Sequence, residues 1–381
     1  MDDRKTAEAI AAKIAEAGGR AYYVGGCVRD KLLKRPCKDL DIEVYGIPAD
    51  ALETLLSAFG NVLTVGKSFG IFKLEHSSLD IALPRTEEKT GEGHRAFLTS
   101  ADPYLPPETA SSRRDFTVNA LMEDVLSGEI HDYHNGLKDL GKGVLRHVND
   151  ASFSEDPLRV LRAARFAAQL GFEVAEETRE LCRKIDLTSL SRERVEGETE
   201  KALLSAEPDR YFEELRKMEQ LKDYYAELGN GPFFSEKALA LREEAKEPVL
   251  YMLGILCSGI AGKQRNTFLH RFLTKKYELK ELKNWTYEDL PDKTALFEKL
   301  DQLTCPEDYV LVLCALYPEK EKEYRKLGDE WQIFLQQEHI TGEDLFKLGY
   351  TPGKELGSLL KEIRKKEYTR SKEEILEELK K

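Results

Sequence analysis

The chain has 381 residues, of which 41 % are hydrophobic and 34 % are charged. This length exceeds that of one ordinary domain and predicts two to four modules, and the composition is typical of a charge-rich globular protein. The net charge of -12 argues against non-specific coating of nucleic acid, although it is compatible with a local basic groove.

No run approaches 18 consecutive apolar residues, so we predict no membrane-spanning helix and no membrane partner. The first 20 residues carry acidic side chains and helical periodicity and lack the layout of a signal peptide, which predicts a cytoplasmic protein. The six cysteines form no CxxC pair, so the pattern favours reduced thiols over a zinc site or a disulfide framework.

In chain order, residues 4–17 have the spacing of a short amphipathic helix that a Gly-Gly pair closes. From residue 21 to residue 124 the pattern changes to short β-rich runs separated by turn residues, with one helix among them at 50–60. Residues 1–124 are therefore predicted to form a small mixed α/β head.

After Phe153 the strand signals stop, and helical spacing continues to the C-terminus. The predicted fold class is α+β, with the small mixed head followed by an all-helical neck, body and tail. We place the neck at 125–220, the body at 221–335 and the tail at 336–381.

Two carboxylates, Asp39 and Asp41, lie on a segment that otherwise reads as a buried strand. Residues i and i+2 of a strand face the same side, so both acids point one way and Leu40 points toward the core. Two close carboxylates repel each other, and a divalent cation such as Mg²⁺ removes that conflict. Asp80, at a second acidic strand end, is a weaker third candidate ligand. The alternative is a solvated strand edge with two acids.

Just upstream, Gly25 and Gly26 follow an apolar run and precede a helical pattern. A strand, a Gly-Gly turn and a helix N-terminus present backbone N–H groups to an anion. Arg29, one turn into the helix, can add a charge-assisted contact to phosphate. A plain tight turn is the alternative for the glycines.

Linked motifs in the first ~220 residues carry a family resemblance. These motifs are GGCVRD (25–30), DLD (39–41), RRDFTVNAL (113–121), DYHNGLKDL (132–140) and EDPLRVLRAARF (155–166). Together they resemble the class II tRNA nucleotidyltransferases, which are the CCA-adding enzymes and bacterial poly(A) polymerases of the superfamily related to DNA polymerase β. The resemblance returns at 340–363, whereas 225–335 shows little that matches.

The resemblance implies a nucleotidyltransferase head like that of polymerase β, acting on the 3′ end of tRNA with CTP and ATP. An RNA 3′-hydroxyl would attack the α-phosphate and release pyrophosphate. Mg²⁺ held by Asp39 and Asp41 would lower the pKa of the hydroxyl and neutralise charge on the leaving oxygens. By the same resemblance, Gly26 and Arg29 contact the triphosphate.

The motif at 113–119 supplies two adjacent arginines, an aspartate and an asparagine. The arginines suit phosphate, and the resemblance assigns Arg114 to the nucleotide. It also implies that Asp115 and Asn119 favour ribonucleotides by recognising the ribose. A helix N-terminus capped by the aspartate is the alternative.

Asp156, Arg159, Arg162 and Arg165 step by three along a predicted helix. Cytosine and adenine each offer an amino donor beside a ring acceptor, whereas uracil and guanine present the reverse order. Because aspartate only accepts and arginine only donates, one Asp–Arg pair can select C and A without a nucleic-acid template. The resemblance assigns this role to Asp156 and Arg159, and Arg162 and Arg165 would contact the phosphate or base side. The alternative is a set of i, i+3 ion pairs.

We therefore predict a metal-dependent enzyme that adds C and A to tRNA 3′ ends. A CC-adding enzyme, an A-adding enzyme and a poly(A) polymerase are alternatives within the family. An inactive RNA-binding protein on the same fold and a small-molecule nucleotidyltransferase are alternatives outside it. The histidines do not suggest an added phosphohydrolase domain.

Two further segments carry expectations. The tail clusters basic residues that would bind RNA phosphate, or form a solvated charged helix: Lys361, Arg364, Lys365, Lys366, Arg370 and Lys372. The segment between Leu83 and Arg113 shows little periodicity and reads as a long functional loop. By the resemblance, such a loop favours competence for A addition and disfavours CC addition alone.

Overall fold

The structure is a computed structural model that describes residues 3–37, 39–64, 70–89, 97–290 and 292–380. The chain divides into two compact units, residues 1–223 and 224–381. The further divisions predicted near 124 and 335 stay predictions.

A seven-stranded sheet forms the centre of the first part of unit one, in the order β3-β4-β5-β2-β1-β8-β9. Its strands are β1 (Arg20–Val24), β2 (Leu40–Tyr45), β3 (Val62–Thr64), β4 (Ile71–Leu74), β5 (Leu79–Ala82), β8 (Met122–Asp124) and β9 (Ile130–His131). β2 and β5 are parallel, and every other pair in this sheet is antiparallel. The remaining strands of the unit are β6 (Arg85–Lys89), β7 (Phe97–Ala101), β10 (Val144–Leu145) and β11 (Glu173–Val174).

Ten α-helices accompany these strands in the described part of unit one. They are α1 (Asp3–Glu16), α2 (Gly26–Leu32), α3 (Ala49–Leu56), α4 (Pro107–Ser112), α5 (Gly136–Lys142), α6 (Asp150–Glu155), α7 (Leu158–Leu170), α8 (Glu176–Lys184), α9 (Arg192–Leu203) and α10 (Pro208–Lys217). The predicted first helix is confirmed as α1. A 3-10 turn spans Thr117–Asn119.

Successive side chains of each strand point to opposite faces of the sheet, and a different apolar cluster lies on each face. On one face, Ile42 and Val44 of β2 pack with Ile10 of α1 and Leu52 of α3 in the main head core. On the other face, Tyr45 packs in a smaller cluster that includes Ala110 of α4. Beyond the head, α7 packs between α9 and α10, so the segment that carries the predicted base-recognition residues rests on a helical support.

Two sequence-based expectations about this unit were wrong in detail. Strands continue beyond Phe153, because β11 pairs in parallel with β10. These strands have two residues each, too few to show an alternating pattern. The segment 84–112 is not an unstructured loop: β6 and β7 form an antiparallel hairpin, and α4 follows. Residues 90–96 lie outside the described residues.

The described residues of unit two form helices joined by turns and irregular segments, with no strand among them. Its α-helices are α11 (Glu236–Leu241), α12 (Pro248–Ser258), α13 (Gly262–Phe272), α14 (Lys276–Asn284), α15 (Lys293–Leu300), α16 (Pro306–Leu316), α17 (Glu321–Leu335), α18 (Gly342–Lys347), α19 (Lys354–Glu367) and α20 (Lys372–Leu379). Short 3-10 turns lie at Arg242–Glu244 and Pro318–Lys320. The α+β fold class, with a sheet-containing head and a mainly helical remainder, is confirmed.

The last three helices of unit two pack around a small apolar cluster that includes Leu345, Ile363 and Ile375. Five of the six basic residues predicted to bind RNA here form ion pairs with acids. The pairs are Arg364–Asp301 (2.8 Å), Lys365–Glu298 (2.6 Å), Lys366–Glu378 (2.7 Å), Arg370–Glu378 (2.5 Å) and Lys372–Asp344 (2.9 Å). Nearby acids therefore offset much of the positive charge that the sequence of this basic segment indicates.

Among the described helices, none combines the length and the apolar character needed to cross a membrane.

Candidate active site

Two neighbouring strands bring the predicted acidic residues to one place. The parallel register of β2 and β5 sets Asp41 directly beside Asp80, and neighbouring strands lie about 4.8 Å apart. Leu40 and Ile42 point into the head core, as the alternation predicts. Asp39 lies exposed immediately before β2 begins.

Asp41 is in an environment that disfavours an isolated carboxylate. Burial raises its pKa, and Arg114 opposes that effect. The carboxylates of Asp80 and Asp39 then raise the pKa further. A divalent cation relieves repulsion of this kind, so the donor set fits such an ion. Asp80 also pairs with Lys73 at 2.8 Å.

The three acids do not converge as a closed trio. Within the described ranges, their oxygens do not all lie within 4.8 Å of one another. The assignment of a metal to Asp39 and Asp41, with Asp80 as the weaker third ligand, stays a prediction.

The Gly-Gly turn packs against Arg114, one of the residues predicted to contact the nucleotide. Gly25 has φ 75° and ψ −136°, a conformation that favours glycine. A Cβ atom there would lie 2.9 Å from Nη1 of Arg114 and 3.9 Å from Oδ2 of Asp41. The missing side chain lets the Arg114 guanidinium lie against the turn, next to the acidic strand. Gly26 begins α2.

A continuous hydrogen-bonded chain joins four predicted site residues. Arg29 is buried and donates from Nη1 to Oδ1 of Asn119 at 2.6 Å. Asn119 donates from Nδ2 to Oδ1 of Asp115 at 3.0 Å, and Arg162 donates from Nε to Oδ2 of Asp115 at 2.9 Å. Arg29 thus holds Asn119 in place, and its predicted contact with the triphosphate stays a prediction.

Asp115 is buried yet remains the acceptor at the centre of this chain. Burial by itself would raise its pKa, but Arg162 and the hydrogen bond from Asn119 outweigh burial and lower it. The carboxylate is therefore ionised at neutral pH and holds the side chains on both sides of it.

Asp156 marks the junction between α6 and α7. Its Oδ1 accepts a hydrogen bond from the backbone N–H of Leu158 at 3.1 Å, which caps the start of α7. Its Oδ2 lies 2.8 Å from Nη2 of Arg194 on α9. The ion-pair partner of Asp156 thus lies 38 residues away along the chain, and not at the i, i+3 position of the alternative interpretation.

Arg159 is held by backbone carbonyls. Its Nη1 donates to the carbonyl of Ser152 at 2.8 Å, and its Nη2 donates to the carbonyl of Arg113 at 2.6 Å. Asp156 and Arg159 are therefore held by different partners.

Arg165 differs from the other arginines of α7. It is buried, its Nε donates to Glu198, and its Nη1 donates to Oε1 of Gln169 at 2.8 Å. Its guanidinium lies 3.9 Å from the centroid of the Phe166 ring. These contacts indicate support of the helix, and the predicted contact with nucleotide stays a prediction.

A cavity of about 330 Å³ gathers five of the predicted residues. Its lining is Arg85, Arg113, Arg114, Asp115, Asp156, Leu158, Arg159, Arg162 and Arg194. Six arginines against two aspartates give it a net formal charge of four positive in a chain whose total is -12. The size lies at the lower end of ligand sites, about 300–1,000 Å³, and the charge suits a polyphosphate.

Sequence reasoning missed two arginines of this lining. Arg85 is the first residue of β6, at the start of the segment interpreted as a loop. Arg194 reaches the site only because α9 packs against α7, and no local spacing indicates that contact. The lining does not include the other predicted residues, and of these Asn119 contacts the lining residue Asp115 and Arg29 contacts Asn119.

Two family models match the chain. The first, described as "Poly A polymerase head domain", matches residues 21–146. The second, described as "Probable RNA and SrmB- binding site of polymerase A", matches residues 171–223. Both matches lie in unit one, which contains the cavity.

Solved structures of similar fold cover nearly the whole chain. "The structure of CCA-adding enzyme apo form II" has a TM-score of 0.78 at 24 % identity and covers 99 % of this chain and 95 % of its own. "Thermotoga maritima CCA-adding enzyme complexed with tRNA_CCA" has a TM-score of 0.70 at 24 % identity, with 98 % and 94 % covered. These likenesses establish the fold.

Curated relatives are closer in sequence. A "Multifunctional CCA protein" of Pasteurella multocida is 45 % identical over 216 residues, which are 55 % of this chain and 50 % of the relative. The chain thus spans about half the length of several curated relatives it matches. A "CCA-adding enzyme" of Pseudomonas entomophila is 38 % identical over 266 residues, which are 66 % of this chain and 69 % of the relative. With that identity over more than two thirds of a relative, the chain belongs to the CCA-adding enzyme family of tRNA nucleotidyltransferases.

Proposed function

We propose that this protein adds C and A, as CCA, to the 3′ end of tRNA from CTP and ATP, without a nucleic-acid template and with release of pyrophosphate. The observation that carries the proposal is the arginine-lined cavity whose wall presents Asp156 and Arg159. The names of the relatives support the same activity.

The site divides the work among its own residues. Arg114, lying over Gly25, and the other cavity arginines bind the triphosphate. Asp115 and Asn119, fixed by Arg162 and Arg29, meet the ribose. This arrangement positions the α-phosphate for attack, and positioning supplies much of the acceleration in phosphoryl transfer.

Members of this family are generally metal-dependent, and we propose Mg²⁺ as the ion here. Asp39 and Asp41 would hold it, with Asp80 nearby. When bound, such an ion lowers the pKa of the attacking hydroxyl and neutralises charge on the leaving pyrophosphate.

Base choice follows from hydrogen-bond polarity. Asp156 accepts from the exocyclic amino group of cytosine or adenine, and Arg159 donates to the neighbouring ring nitrogen. Uracil and guanine present a carbonyl to the aspartate, which has no proton to donate. Because Arg194 and two backbone carbonyls hold this pair, the selection is built into the protein.

A-only addition, CC-only addition and poly(A) synthesis are the competing activities. The β6–β7 hairpin lies where the family resemblance favours competence for A, which counts against CC-only addition. The acidic residues at the start of β2 count against an inactive RNA-binding protein, because RNA binding alone has no use for a metal site.

We also propose that the tail, 336–381, contributes to RNA affinity and that the protein acts in the cytoplasm. Weak surface ion pairs leave basic side chains able to exchange an acid for phosphate. Replacing Lys365 and Lys366 by alanine in the full chain should raise the KM for tRNA more at low salt than at high salt. Equal KM values for both proteins would refute a role for these two lysines.

The activity is tested by offering all four nucleoside triphosphates in equal amounts, with Mg²⁺ and a tRNA that ends at its discriminator base. Sequencing of the extended ends should find C, C and A in that order. Incorporation of U or G at comparable frequency, or none at all, would contradict the proposal.

A further inference from the structure

A buried glutamate on β2, Glu43, lies close to both Arg113 and Arg114. Glu43 is only 2 % exposed, and it follows Asp41 by two residues on β2, so both face the same side. Its Oε1 lies 3.2 Å from Nη2 of Arg113 and 3.8 Å from Nη2 of Arg114. Its Oε2 accepts a hydrogen bond from the Tyr45 hydroxyl at 2.6 Å.

A buried carboxylate is retained only with partners, because removing one partner from a buried ion pair is strongly destabilising. Here the hydroxyl of Tyr45 fixes one oxygen of Glu43 and leaves the other for the arginines. The ion pair with Glu43 thereby holds the side chain of Arg113 in place.

That position has a second effect through the backbone. The carbonyl of Arg113 accepts the hydrogen bond from Nη2 of Arg159 at 2.6 Å. Arg114, the other neighbour of Glu43, lies over Gly25 and acts electrostatically on Asp41. One carboxylate thus connects the acidic strand, a triphosphate-binding arginine and the support of a base-reading arginine.

We propose that Glu43 is a positioning residue that sets base selectivity by holding Arg113, and with it the carbonyl on which Arg159 rests. This inference rests on the proposed function, since it concerns how the same site distinguishes cytosine from uracil. Glu43 does not touch the nucleotide in this account.

The test compares wild type with Glu43→Gln in the full chain, using calorimetric affinities for CTP and UTP. Glutamine keeps the shape and removes the charge, so the preference for CTP should fall about tenfold, the equivalent of about 1.4 kcal/mol. The affinity for CTP itself should weaken less, because removing the negative charge of Glu43 also removes a repulsion between that charge and the triphosphate.

Two further variants keep the test decisive. Glu123→Gln alters another buried acid of the same sheet, which pairs with Lys31, and should leave the preference unchanged. Arg113→Gln should reproduce the loss, and the double variant Glu43→Gln/Arg113→Gln should lose no more than either alone, because the two act as one unit. Thermal melts establish that each variant is folded.

An unchanged preference in folded Glu43→Gln, an equal loss in Glu123→Gln, or an additive loss in the double variant would overturn the inference. A wild-type protein that does not prefer CTP would overturn it as well. Because binding is the readout, failure of tRNA extension would refute the proposed function separately.

Discussion

Replacing Asp156 by asparagine separates base selection from helix capping. Asparagine keeps an oxygen that can accept from the backbone N–H of Leu158, so the cap at the start of α7 is preserved. The substitution removes the charge that pairs with Arg194, and both of those side chains are 30 % exposed. A pair this exposed contributes about 0–1 kcal/mol, so the free energy of unfolding should change little.

Selectivity should change far more than stability. A hydrogen bond to a charged group contributes about 1.5–3 kcal/mol, which corresponds to a factor of roughly 10 to 100. The amide that replaces the carboxylate can also donate to the uracil carbonyl, which the carboxylate of Asp156 cannot do. The ratio of kcat/KM for UTP to that for CTP should therefore rise by roughly 10- to 100-fold.

The assay measures single-nucleotide addition of CTP and of UTP to a tRNA that ends at its discriminator base. Circular dichroism melts accompany it. Arg194→Gln is the matched control, because it breaks the same ion pair but leaves the carboxylate, and its loss of selectivity should be the smaller one. An unchanged UTP to CTP ratio in a folded Asp156→Asn protein would refute the assignment of Asp156 to base reading.

Three other variants test separate parts of the site. Asp39→Ala and Asp41→Ala should each abolish nucleotide addition with Mg²⁺ while circular dichroism shows a folded protein, and near-normal activity of the double variant would rule out the proposed metal site. Gly25→Ala should cost about 1–3 kcal/mol in unfolding free energy because its φ is positive, and it should raise the KM for CTP because the new Cβ displaces Arg114; an unchanged KM would contradict that contact. The pKa of Asp115 is lowered in the folded chain, so its stabilisation is present above the unfolded pKa of about 3.9 and is lost as pH falls through the lower folded value. Urea unfolding of Asp115→Asn should therefore show a constant deficit between about pH 5 and 8 that shrinks below about pH 4, and a deficit independent of pH would contradict it.

The sequence predicted the acidic strand well because its signals are local. The alternation of Leu40, Asp41 and Ile42 fixes which side each residue faces, and the structure places Leu40 and Ile42 in the core. The helices after Phe153 were also predictable, since their apolar positions recur at helical spacing. Short strands such as β10 and β11 gave no such signal.

The contacts that organise the cavity were not predictable in the same way. Asp156 meets Arg194 across 38 residues, and Asp115 meets Arg162 across 47. The only ion pairs that spacing along one helix offered, as the alternative interpretation, were i, i+3 pairs, which are weak and easily replaced by a tertiary partner. The alternation along β2 predicts that Glu43 faces the same side as Asp41. Its partner Arg113 is revealed only by the structure, in which α4 packs against that side of the sheet.

The most direct test of the proposed activity uses two tRNA substrates, one ending at the discriminator base and one ending in CC. Each is incubated with CTP alone, ATP alone or both, with Mg²⁺, and the products are resolved at single-nucleotide length. We predict that the first substrate gains two residues with CTP alone and a third when ATP is added, and that the second gains one residue with ATP. Extension of the second substrate only would show an A-adding enzyme, two residues with no third would show a CC-adding enzyme, and a long run of A on unrelated RNA would show a poly(A) polymerase. Any of these three results, or no extension of either substrate, would contradict the account.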